Sequence, residues 1–156
     1  MNEFTAKKLG EVLAFAEVGK ETFERGLTAF SEIHGSDETA KLIEESNAHA
    51  EELKILADTE GVSEIVMKKL DATGTKLRAM RDMYVGDQWE NPTELLEWSG
   101  FFEGAAVVHW SLVKGASIGI SHTELQKLAD KVMDFHQKLL DISTKKLFEV
   151  GNKKSV

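Results

Sequence analysis

An all-α fold follows from three features of the chain. Proline occurs once in 156 residues, at Pro92, so almost nothing interrupts a helix. Apolar residues recur at three- and four-residue steps over long segments, the spacing of one helix face. No segment alternates apolar and polar residues over the length of a strand. The length is that of one domain, large enough to bury a core without a disulfide or metal staple. Residues 1–150 are expected to form this single domain, and 151–156 a polar tail.

The pattern predicts five helical segments. The first spans about Thr5 to Ile33, with Leu9, Val12, Ala16, Gly19, Phe23, Leu27 and Phe30 on one face, and stops at His34-Gly35. Ser36 and Asp37 are natural N-caps for the second, to about Thr59, whose stripe includes Leu42, Ile43, Ala50, Leu53 and Leu56. Gly61 ends it, and Ser63 opens a third, to about Tyr84, which is locally basic through Lys68, Lys69, Lys76, Arg78 and Arg81. Asn91-Pro92-Thr93-Glu94 is a strong start signal for the fourth, with Asn at the N-cap and Pro at the first helical position. This fourth segment reaches about Lys114 or Ile118 and is apolar on more than one face. Such a helix is expected either at the centre of the fold or with its second face at a dimer interface. Ser121-His122-Thr123-Glu124 opens the fifth, to about Val150. Long helices with short connections pack as an antiparallel bundle. Its third segment is expected as a fifth member or as the link between two hairpins.

Composition removes several function classes. There are 19 Lys and Arg against 27 Asp and Glu, a formal charge of −8, which opposes nucleic-acid binding. Cysteine is absent, which excludes a disulfide framework, a thiolate zinc site, an iron–sulfur cluster and a cysteine nucleophile. The first fifteen residues are amphipathic and lack the apolar run of a targeting signal. The longest apolar stretch, Gly104 to Ile120, contains His109 and Lys114 and is shorter than the roughly 20 residues of a membrane span. A cytoplasmic location without membrane contact is expected. No Gly-x-Ser-x-Gly motif is present, and Asp71 to Lys76 lacks the first glycine and the strand of a phosphate loop, so no nucleotide is expected.

Sliding the chain by 87 residues lays the first hairpin on the second. Phe15 then aligns with Phe102, Ala16 with Glu103, Gly19 with Ala106, Phe23 with Trp110 and His49 with His136. The first hairpin carries Ala16-x2-Gly19-x3-Phe23 and Ser46-x2-His49-Ala50-Glu51-Glu52-Leu53. The second carries Glu103-x2-Ala106-x3-Trp110 and Met133-x2-His136-x2-Leu139-Leu140. Together they resemble the two halves of a ferritin-like, rubrerythrin-like four-helix bundle. The resemblance implies an antiparallel four-helix bundle with an additional connecting helix. In that family each half supplies a Glu on one helix and a Glu-x-x-His on the next, and the set binds two metal ions. Here the first Glu falls on Ala16, and the two bridging carboxylates fall on Ser46 and Met133. Glu17 and Glu45 are one residue away, a rotation of about 100° on a helix.

The donors that remain are His49, Glu103 and His136. Two imidazoles and one carboxylate match the arrangement that holds non-haem Fe(II), and equally suit Mn or Zn. The competing reading is an ordinary buried His donating to Glu103. His109, beside Trp110, is read as a packed residue, and no haem is expected. His34 and His122 lie at helix ends without a site role. Trp89, Trp98 and Trp110, with Phe101 and Phe102, are read as core and interface packing before a ligand pocket.

Two functions follow. One is a metal-binding oxidoreductase-type protein using iron or manganese at His49, Glu103 and His136, which requires the three side chains to converge. The other is a non-catalytic bundle acting through self-association, as a homodimer, or through a protein partner on the fourth segment. It requires those side chains to be separated or individually satisfied, and an exposed apolar patch of a few hundred Å2.

Overall fold

A computed structural model describes residues 1–156 as six helices and no strand. They are α1 (Glu3–Arg25), α2 (Leu27–His34), α3 (Ser36–Thr59), α4 (Ser63–Val85), α5 (Pro92–Gly119) and α6 (Thr123–Lys154). The fold is all-helical, as the sequence predicts. No helix is long and apolar enough to cross a membrane.

Two boundaries differ from the sequence reading. The first segment is two helices, divided at Gly26. A Cβ there would stand 2.6 Å from Leu95 Cδ1 and 3.0 Å from the Phe30 ring, so the missing side chain is what lets α5 close on the bend. The last helix runs on through the expected tail, and only Ser155 and Val156 lie beyond it. Nothing in 151–154 breaks a helix strongly, and Lys153 and Lys154 complement the negative end of the helix dipole.

The caps are partly as expected. Asn91 Oδ1 accepts from Thr93 N–H at 3.0 Å and Glu94 N–H at 3.4 Å, ahead of Pro92 in the first turn. Asn2 caps α1 through Thr5 N–H at 2.8 Å. Ser36 and Asp37 lie inside the first turn of α3, and no side chain caps it. The α6 cap is His122 rather than Ser121, with Nδ1 accepting from Leu125 N–H at 3.2 Å.

The central helix is α1. Every residue from Leu9 to Ala16 is buried, more than two full turns, with α3, α4 and α5 packed around it. The reason is size. Ala6, Gly10, Ala14, Ala16 and Gly19 let neighbours approach from several sides. A Cβ on Gly10 would come within 2.6 Å of both Val66 O and Lys69 Cβ, which marks the closest approach of α4 to α1. The more apolar α5 is not central. It packs on α6 and α1 and leaves a face open.

The connecting helix α4 lies along α1 and is held there by charge. Arg78 makes a bidentate pair with Glu21, at 2.9 and 2.7 Å, and Lys69 approaches Glu11 at 3.4 Å. Its basic residues thus grip acidic positions of α1. The core is one continuous cluster, with Trp110, Phe15 and Phe30 its largest fully buried side chains.

Candidate functional site

Helices α5 and α6 form a tight hairpin, and this brings together two of the three predicted donors. Glu103 and His136 are each 3% exposed. Glu103 Oε2 accepts a hydrogen bond from His136 Nδ1 at 2.5 Å. A carboxylate only accepts, so Nδ1 carries the hydrogen. The pair is mutually satisfied within the core.

His49 is buried from the α3 side, with its ring edge-on to Phe135 at 4.8 Å between centroids. It makes no hydrogen bond to another side chain or to the backbone. Burial, then the nearby His136 and Lys131, push its pKa down to about 4, so it is neutral at pH 7. It stands on the floor of an open cleft of about 510 Å3 between α3 and α6, with Leu42, Leu139 and Ile142 as apolar lining and Glu45, Lys131 and Lys138 at its rims. No group of three or more His, Cys, Asp or Glu side chains is placed to hold a metal ion.

The positions at which the resemblance would set carboxylates are in or against the core. Ala16 and Ser46 are buried, and Met133 packs on the core cluster. The two displaced acids point elsewhere. Glu17 pairs with Lys54 at 3.0 Å, and Glu45 is exposed on the cleft. The 87-residue offset has a spatial counterpart. Phe15 and Phe102, its equivalents, meet ring to ring at 5.1 Å. His49 and His136, another such pair, are near enough for charge on one to disfavour charge on the other.

A charged cluster that sequence reasoning did not single out joins three helices. Glu11 of α1 is 7% exposed. It receives Lys8 at 2.9 Å, His109 Nδ1 at 3.1 Å and Lys69 at 3.4 Å. Burial pushes its pKa up, but Lys8 and His109 outweigh burial and hold the carboxyl below its ordinary value. The only sequence signal was an acid inside an apolar run. His122 also has a structural task. With Nδ1 accepting, its Nε2 carries the hydrogen that Glu60 accepts at 3.0 Å. His34 stacks on Phe30, and burial, with Lys146 nearby, pushes its pKa down.

Of the aromatic cluster, Trp98, Phe102 and Trp110 are core residues. Trp89 lies under the Arg25 guanidinium at 4.0 Å. Phe101 is 65% exposed. It begins a row on α5 that continues through Val108, 67% exposed, and Leu112, 44% exposed, to Ile118, 58% exposed. The spacing of Phe101, Val108 and Leu112 keeps those three on one helix face, with Ile118 about a third of a turn round from Leu112. Between Trp98 and Gly119 the only charged residues of α5 are Glu103, turned inward, and Lys114, paired with Asp130. The row joins Phe4 of α1 at one end and Met80, Met83 and Tyr84 of α4 at the other. No family model, curated protein or solved structure matches the chain.

Proposed function

We propose that the chain is a ferritin-like four-helix bundle, with α4 as the additional connecting helix, and that it works by protein association rather than by catalysis. The scaffold reading is supported by the two hairpins, α1 with α3 and α5 with α6, and by the meeting of offset-related residues across them. The association reading is carried by one observation. From Phe101 to Leu112 the open face of α5 is apolar, without an exposed Asp, Glu, Lys or Arg, and it is continuous with exposed apolar side chains of α1 and α4. Soluble monomers rarely expose so large a contiguous apolar patch. Isolated exposed apolar residues need no such explanation, but a row with neighbours at both ends does.

The test is a photoreactive amino acid installed at position 108 in the expressed chain, compared with one at Asp141. Discrete protein adducts from 108, self or foreign, and none from 141 are expected. Equal labelling at both positions contradicts the reading.

A second reading has its own supporting observation. His136 is oriented through Nδ1 by Glu103, the arrangement that commonly backs a metal-ligating histidine, and the neutral His49 is nearby. In that reading His49 and His136 would hold an iron or manganese ion, with Glu103 supporting His136. A two-metal carboxylate centre does not fit, because Ala16, Ser46 and Met133 replace its carboxylates. Metal analysis after anaerobic exposure to Fe(II) and Mn(II), with His136→Ala alongside, decides it. About one ion per chain lost in the variant favours this reading, and none in either protein removes it.

A further inference from the structure

We propose that the partner on the α5 face is a second copy of this chain, packed antiparallel about a two-fold axis at Val108. This rests on the reading of that face as a docking surface and names its occupant. The argument begins with register. In an antiparallel pair centred on Val108, a residue a given number of positions before it faces the residue the same number after it in the other copy. Phe101, seven before, therefore faces Gly115, seven after, and Gly104, four before, faces Leu112, four after. Phe101 and Leu112 thus each meet a glycine, and Val108 on the axis meets its own copy. A Cβ built on Gly115 meets no atom within 4 Å, so the space a partner's Phe101 would occupy is open. The match holds four times over by symmetry, and it fits the knob-and-hole packing of paired helices.

Charge selects the same orientation. The entry to α5 carries Glu90, Glu94 and Glu97, none of them in an ion pair, while at the far end, beside Phe4, Lys7 and Lys8 are paired with Glu3 and Glu11. A parallel pair would set the three acids against their own copies. The antiparallel pair carries them to opposite ends of the 28-residue helix, which is ~40 Å long. It also opposes the two helix dipoles.

Area is sufficient. Phe101, Val108, Leu112 and Ile118, with Phe4, Met80, Met83 and Tyr84 around them, are 38–85% exposed. Side chains of this size leave on the order of 800 Å2 of apolar surface, what each partner contributes to a standard interface.

The chain has no cysteine, so single substitutions report register directly. Val108→Cys, Phe101→Cys and Gly115→Cys are treated with a short bis-maleimide, with helicity checked by circular dichroism. Val108→Cys is expected to link to itself. Phe101→Cys is expected to link when mixed with Gly115→Cys and to stay unlinked alone. Self-linking of Phe101→Cys without self-linking of Val108→Cys overturns the antiparallel register. A wild-type protein that stays monomeric at hundreds of micromolar overturns self-pairing alone, and foreign adducts at position 108 then keep the docking surface. A dimer in which no α5 cysteine links overturns both.

Discussion

His49 makes the clearest residue-scale prediction. Its folded pKa is depressed to about 4, below the 6.5 of an exposed imidazole, so the unfolded chain binds the extra proton first. The stability that comes from keeping it neutral is complete above about pH 6.5 and is lost as pH falls towards 4. The loss is roughly 2–3 kcal/mol after allowance for the water in the cleft. His49→Gln should flatten the urea-unfolding free energy between pH 7 and 4, and an unchanged slope contradicts the assignment. The Glu103–His136 pair calls for a double-mutant cycle. His136→Leu leaves a buried carboxylate without its donor and should cost ~3–5 kcal/mol. Glu103→Leu orphans one N–H and should cost ~1–3 kcal/mol. The double variant should be less destabilised than the two together, and strict additivity would show that the pair is not coupled. At this scale the sequence was informative about which residues are buried. It marked Glu103 and His136 by their spacing, and the structure joins them. It could not show that His49 faces a cleft rather than the pair, because helix rotation and splay are set by packing. Glu11 was hidden for the same reason, since its partners come from three helices.

At the scale of elements, glycine distinguishes close packing from open surface. Ala is the better helix former by about 1 kcal/mol at an unhindered site. At Gly10 the added methyl collides with the α4 backbone, so Gly10→Ala should destabilise by ~1–3 kcal/mol through overpacking. At Gly100 nothing stands within 4 Å of the new Cβ, so Gly100→Ala should be neutral or stabilising. Thermal unfolding of the two variants checks the pair, and a stabilised Gly10→Ala would show that α4 does not approach α1 there. Helix existence was legible because apolar period and local start signals are sequence properties, as at Asn91-Pro92. Two features were not. The division at Gly26 depends on Leu95 arriving from another helix, and glycine alone does not show that. The central place of α1 depends on small residues admitting neighbours, whereas hydrophobicity pointed to α5.

For the whole molecule, the decisive contrast is between the two best-matched helices. The scaffold buries α1 on every side from Leu9 to Ala16 and leaves α5 with an apolar side that nothing in the chain covers. Stability of a single copy does not need that side, so its apolar row from Phe101 to Leu112 is best explained by what it meets. The sequence raised this possibility from an apolar pattern on more than one face, but exposure became visible only once the neighbours of α5 were placed. The measurement that tests the account most directly is sedimentation of the wild-type chain beside Val108→Glu across a wide concentration range. The account predicts a wild-type mass rising to twice 17.3 kDa at tens of micromolar, and a variant that stays at 17.3 kDa with the same helicity and melting temperature. Two proteins with the same mass at every concentration would contradict it.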